Sequence, residues 1–137
     1  HNKGEQRTKI ISFENSYHGD TFGGMSLAAR NAFNNAFTKL LFNVVHIPVP
    51  IGDKKSLSIE KLQQALKAND AAAFIFEPLV QGAGGMVMYD AGTLNEMIAL
   101  CRASGVICIA DEVMTGFGRT GKCLLVIMCP IIPTLFV

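Results

Sequence analysis

The chain has 137 residues, half of them apolar, so one domain of ordinary size can bury a core. Twelve basic residues stand against eleven acidic ones for a formal net charge of +1, with neither a basic stripe nor interleaved aromatics, so no nucleic-acid partner is expected. The polar start HNKGEQRTK lacks the apolar core of a signal peptide and no uninterrupted stretch reaches the length of a membrane span, while the missing initiator Met suggests a fragment or a processed chain.

In chain order, Lys9 to Phe13 reads as a buried strand. The polar turn ENSYHGDTFGG follows, then a short helix through Met25, Leu27 and Ala28. Val44 to Val49 is a second extended run, broken by Pro48 and Pro50. Ser58 is placed to cap a helix from Ile59 to Ala68, with Ile59, Leu62 and Leu66 on one face. Ala72 to Phe76 and Val106 to Ala110 are short apolar runs that suit buried strands. Between them Leu94, Met97, Ile98 and Cys101 recur at i, i+3, i+4 and i+7, the spacing of one helical face. Asp90 or Thr93 can cap that helix and Gly105 stops it. Strand, helix and strand in this order form a βαβ crossover, right-handed in nearly all known cases. The fold class that follows is α/β, with a mostly parallel sheet and flanking helices.

Cys101, Cys108, Cys123 and Cys129 show no C-x-x-C spacing, and the first two fall in helix and strand interiors, so they read as reduced thiols of a cytosolic protein. From Leu124 the character changes. LLVIMCPIIPTLFV has no charge, no glycine and two prolines, and suits neither a helix nor a membrane span. Residues 1–123 therefore read as part of one domain and 124–137 as an anomalous apolar tail, for which a frameshift origin is proposed.

Function is read from strand ends. Glu77 and Asp111 each follow an apolar run directly and lead into glycine-rich turns, so in a parallel sheet both stand at carboxyl ends, where α/β folds build their sites. A turn carrying Tyr17, His18 and Gly19 follows a third strand, and the three together point to a site rather than to isolated caps. Gly116, Gly118 and Gly121 satisfy G-x-G-x-x-G, but DEVMT separates them from the strand, no clear helix follows, and no acid after Glu112 is available for a ribose. His18 by itself suits a structural hydrogen bond, and His46 has no partner at metal-ligand spacing, so no metal is expected. Met86 and Met88 read as packing residues under a loop.

The segments YHGDTFG (17–23), FEPLVQGAGGM (76–86) and IADEVMTGFGRTGK (109–122) resemble the class III aminotransferases, which use pyridoxal phosphate on the fold-type-I scaffold. The resemblance covers residues 9 to 123 and makes the chain a piece of the large domain. Asp20 in YHGD together with GFGRTG resembles the branch that makes diaminopelargonate for biotin synthesis. The resemblance implies that Asp111 pairs with the pyridinium nitrogen, that Tyr17 stacks on one ring face while Val113 packs on the other, and that Glu77 helps position the cofactor and Asp111. His18 joins the cofactor-binding set, and Tyr17, Asp20 and Arg119 form the substrate-binding set. The implied partners are S-adenosylmethionine as amino donor and 8-amino-7-oxononanoate as acceptor, in a cytoplasmic homodimer. Many class III relatives carry Gln where Met114 stands here, which argues against the ornithine branch. The lysine that bonds the cofactor would fall roughly three residues past Val137, so no lysine present, Lys122 included, matches that role. The other two readings are a self-standing nucleotide or small-ligand module and a catalytically dead scaffold piece.

Overall fold

The computed structural model describes residues 6–32, 34–121, 123 and 135–136. Among the described residues five strands form one parallel sheet: β1 (Lys9–Phe13), β2 (Val44–Ile47), β3 (Ala71–Phe76), β6 (Ile107–Ala110) and β7 (Leu135–Phe136), in the order β2-β1-β3-β6-β7. A two-stranded antiparallel hairpin, β4 (Val80–Gln81) with β5 (Val87–Met88), follows β3. The helices are α1 (Phe22–Leu27), α2 (Lys55–Lys67) and α3 (Ala91–Ala103), with 3-10 turns at Asn35–Leu40 and Gly52–Lys54.

Alternation along the strands decides which side chains reach the helices. Ile11 lies beside Phe74 and Phe74 beside Cys108, all three without exposure, and they cluster with Leu62 of α2 and with Leu94, Met97, Ile98 and Cys101 of α3. Phe13 meets Phe74 and Tyr89 edge to face at 5.3 and 5.4 Å, adding aromatic pairing worth about 0.5–1.5 kcal/mol each to the burial. On the opposite face Ser12 sits between His46 and Ile75, and α1 packs there. Ser12 is therefore polar on the side that is not the main core.

The α3 periodicity holds at every expected position, and Asp90 rather than Thr93 is the cap, its Oδ1 accepting the Thr93 N–H at 2.8 Å. Lys55 Nζ lies 2.6 Å from Asp90 Oδ2, tying α2 to α3. Gly105 follows α3 with φ +69°, a left-handed turn that leads the chain into β6.

Two expectations are corrected. Ser58 does not cap α2, which begins at Lys55; Ser58 lies within the helix, and its hydroxyl donates to the Pro48 carbonyl, pinning α2 to the end of β2. Met86 and Met88 do not pack under a loop, being 59% and 76% exposed on the hairpin. The extended run at 44–49 ends as a strand at Ile47, before Pro48. Of the tail, Leu124–Thr134 and Val137 lie outside the described residues, as does Lys122, while Leu135–Phe136 pair in parallel with Ile109–Ala110.

Candidate functional site

Strands β1, β3 and β6 are consecutive neighbours, so their carboxyl ends deliver three segments to one edge. The β3–β6 ladder runs one residue further than the strands, because the Asp111 N–H donates to the Phe76 carbonyl at 2.8 Å. That bond sets Glu77 and Asp111 side by side. The chain after β1 turns at Asn15 (φ +57°) and brings Tyr17 and His18 to the same edge.

Asp111 is the centre of the arrangement. Its Oδ2 lies 2.7 Å from His18 Nδ1, and its Oδ1 accepts the Val113 N–H at 3.1 Å. Each carboxylate oxygen has two lone pairs, so both can take a further donor. His18 lies beneath Asp111 with its side chain 1% exposed, so it acts through the carboxylate rather than by reaching into the cleft. Tyr17, next in the chain to His18, is 44% exposed, and Val113, whose N–H holds Asp111, is 70% exposed, while the Asp111 carboxylate is mostly covered.

Glu77 is buried, and burial pushes its carboxyl pKa up, opposed by the Gly82 N–H and by the nearby His18. Its Oε2 accepts from Gly82 at 2.8 Å, while Oε1 is buried with no hydrogen-bond partner among the described atoms. Among the described residues the hydrogen bonds to the Asp111 carboxylate come from His18 and the Val113 N–H, with Glu77 beside it on the neighbouring strand end. Tyr89 anchors this region by donating its hydroxyl to the Glu77 carbonyl.

Tyr17 and Asp20 border a cleft of about 260 Å³ that Met25, Asn31 and Asn34 also line. A hydrogen bond to the Asp20 carboxylate pushes the Tyr17 hydroxyl pKa up. Arg119 is exposed, and its Nη1 donates to the carbonyls of Val113 (3.0 Å) and Gly116 (3.4 Å), holding the loop after β6 closed on itself. The glycines at 116, 118 and 121 belong to that loop of turns.

Sequence reading missed several supports of the site. Glu112 is 2% exposed and accepts from Thr115 Oγ1 at 3.0 Å, fixing the start of the 112–121 loop from below. Gly24 of α1 lies against the 18–19 backbone so closely that a Cβ would stand 2.4 Å from the Gly19 oxygen. The one available signal was the glycine pair inside a short helix, a pairing that costs helix stability without some packing reason.

A carboxylate with open lone pairs, at a strand-end edge that also carries one exposed aromatic and one exposed aliphatic residue, suits the protonated nitrogen of a flat heteroaromatic ring, and pyridoxal phosphate carries such a nitrogen. Among the described residues no group of three His, Cys, Asp or Glu side chains could hold a metal ion, and no helix is long and apolar enough to cross a membrane.

The family profile described as "Aminotransferase class-III" matches residues 1–137, a wider span than the 9–123 expected from motifs. The chain is 49% identical over 129 residues to an adenosylmethionine-8-amino-7-oxononanoate aminotransferase of Synechococcus elongatus, covering 88% of this chain and 30% of that protein. Among solved structures it resembles an adenosylmethionine-8-amino-7-oxononanoate aminotransferase of Methanocaldococcus jannaschii, with a TM-score of 0.77 and 34% identity over 89% of this chain and 28% of the other. A transaminase of a marine Virgibacillus matches with a TM-score of 0.84 and 32% identity, covering 96% of this chain and 30% of the other. The chain thus spans about three-tenths of the length of such relatives.

Proposed function

Because the chain belongs to the class III aminotransferases, we propose that its residues form the ring-holding part of a pyridoxal-phosphate site in an enzyme that moves an amino group from S-adenosylmethionine to 8-amino-7-oxononanoate. Class III aminotransferases use pyridoxal phosphate on the fold-type-I scaffold, and the parallel α/β sheet agrees with that scaffold. When bound, the cofactor supplies an electron sink for the carbanion that forms at the substrate. The observation that carries the reading is the Asp111 carboxylate at the strand-end edge, braced by His18 at 2.7 Å, with Tyr17 and Val113 exposed nearby in the chain on either side of that pair.

In this reading Asp111 keeps the ring nitrogen protonated by ionic pairing, and a charge-assisted bond from His18 keeps the carboxylate oriented toward it. Tyr17 and Val113 exclude water from the two ring faces. Glu77, whose buried Oε1 keeps lone pairs available at the same edge, would take a hydrogen bond from a bound group. Asp20 and Arg119 act on the substrates: Asp20 borders the cleft beside Tyr17, and Arg119 offers a fork for a carboxylate once the loop after β6 opens. The phosphate grip and the lysine come from segments outside these 137 residues, so the chain alone is expected to turn over no substrate. The full enzyme is read as a cytoplasmic homodimer.

A second reading within the family, another omega-aminotransferase, is separated by substrate. Full-length enzyme supplied with S-adenosylmethionine and 8-amino-7-oxononanoate should form 7,8-diaminononanoate, and Arg119→Ala or Asp20→Asn should impair that turnover while sparing the cofactor absorbance. Transfer from a terminal diamine or ornithine with no use of S-adenosylmethionine would replace the first reading by the second. Loss of the cofactor band in either variant would move that residue from the substrate to the ring.

A further inference from the structure

On the sheet face turned away from α2 and α3, buried polar groups form a continuous string that ends at Asp111. Ser12 Oγ, in a residue without exposure, lies 2.7 Å from Ser16 Oγ and 3.5 Å from His18 Nε2. Ser16 Oγ lies 3.3 Å from the Leu27 carbonyl oxygen, and His18 Nδ1 lies 2.7 Å from Asp111 Oδ2. The Leu27 oxygen can only accept, and His46 Nε2, 2.8 Å away, donates to it.

Counting hydroxyl protons gives two complete arrangements. With a neutral imidazole, Nδ1–H donates to Asp111, Ser12 donates to the bare Nε2, Ser16 donates to Ser12, and the Leu27 oxygen keeps its bond from His46. With an imidazolium, Nε2–H donates to Ser12, Ser12 to Ser16, and Ser16 to Leu27. Neither arrangement leaves a buried donor without an acceptor, and they differ by one proton and the rotation of two hydroxyls.

We propose that Ser12 and Ser16 are positioning residues that satisfy His18 in either charge state while Nδ1–H stays on Asp111, so that the charge behind the carboxylate changes without moving it. What this serves rests on the cofactor reading: a cationic ring nitrogen arriving at Asp111 meets a histidine whose neutral and cationic forms both leave every buried donor of the string with an acceptor. Among the described residues the charged or titratable groups around His18 are Asp111 from the end of β6, Glu77 from the end of β3 and, through the Leu27 carbonyl, His46 of β2; α1 presents that carbonyl, through Ser16, and its Gly24 lies against the 18–19 backbone.

The test is a pH titration of the His18 ring by 15N NMR on the full chain, with no ligand added. Nδ1 stays protonated throughout and Nε2 changes state. Ser16 does not touch the ring, yet Ser16→Ala removes the acceptor that only the cationic arrangement needs. At the pH where half the wild-type rings are cationic, that variant should lower the ratio of cationic to neutral rings about fivefold, the value of one neutral hydrogen bond. Ser16→Thr should restore the ratio. Ser16→Cys, whose thiol is a weaker partner, should give a smaller change in the same direction and serves if the alanine variant does not fold. An unchanged ratio in a folded Ser16→Ala or Ser16→Cys chain, or a bare Nδ1 at any point of the titration, overturns the relay. Failure of the cofactor reading would register elsewhere, as an absence of pyridoxal phosphate binding in the full-length enzyme, with this titration intact.

Discussion

Gly24 is the residue on which the geometry of the site edge depends most sharply. It is a helical position in α1, where alanine is ordinarily better than glycine by about 1 kcal/mol. The structure reverses the sign. A Cβ at position 24 would stand 2.4 Å from the Gly19 oxygen, 2.6 Å from the His18 oxygen and 2.8 Å from the Gly19 carbonyl carbon, all backbone atoms without a side-chain rotation to relieve them. The shortfall from ordinary van der Waals contact is about 1 Å, and overpacking of that kind costs roughly 1–3 kcal/mol. Retreat of the 18–19 backbone also pulls on the 2.7 Å bond from His18 to Asp111, a charge-assisted contact worth about 1.5–3 kcal/mol if lost. Gly24→Ala should therefore lose about 1–3 kcal/mol net in urea unfolding. Gly23→Ala is the control: its Cβ meets only Thr21 Oγ1, at 3.7 Å, so it should be neutral or stabilising by up to about 1 kcal/mol. A Gly24→Ala chain at least as stable as the parent would refute the close approach of α1 to the 17–20 turn.

Other consequences are directly measurable. Burial raises the Glu77 carboxyl pKa above its ordinary 4.5, so the folded state binds the proton more tightly and stability should fall as pH rises from about that value through the higher folded one; Glu77→Gln should flatten that part of the profile, and parallel profiles would contradict the burial argument. Lys55, with the Thr93 N–H, holds Asp90 well below the usual aspartate range, so its contribution is present above pH 3.8 and fades as pH falls further. Asp90→Ala should cost about 1 kcal/mol at neutral pH, mostly from the lost cap since the ion pair is exposed, and nothing measurable in strong acid; an equal cost at both would sink the cap assignment. The tail is proposed to arise from one lost nucleotide near the Cys123 codon: bases that encode LLVIMCPIIPTLFV can, with one T restored in front, read FASDYVSNYPDIIC, which sets an Ile-Ile pair at positions 135 and 136, where β7 stands. Sequencing the gene decides this, and downstream bases that do not continue in the other frame to a lysine would end the idea.

Much of the scaffold was legible because its signals are local. The i, i+3, i+4, i+7 pattern of α3 and the apolar runs of β1, β3 and β6 are periodicities that burial imposes on neighbouring residues, and each returned within one residue of the expected bounds. The two-residue strands β4 and β5 and the 3-10 turn at Asn35–Leu40 are too short to carry a period. Ser58 misled because a serine at a helix start and a serine one turn inside it look alike in sequence; the contact with Pro48 that distinguishes them is tertiary. The edge that gathers Tyr17, Glu77 and Asp111 was readable from strand order. The pairing of His18 with Asp111, 93 residues apart, and the serines beneath it were not, because no local pattern records which groups meet across three strands.

The central claim, that Asp111 holds the charge of a ring nitrogen, is tested most directly by Asp111→Asn in the full-length aminotransferase, with amino-transfer rate and unfolding midpoint measured on the same preparation. A neutral amide cannot stabilise the pyridinium, so the rate should fall by several orders of magnitude, at about 1.4 kcal/mol of barrier per factor of ten, while the midpoint changes little. Transfer at a near-normal rate would remove Asp111 from the role that its position beside His18, Tyr17 and Val113 assigns to it.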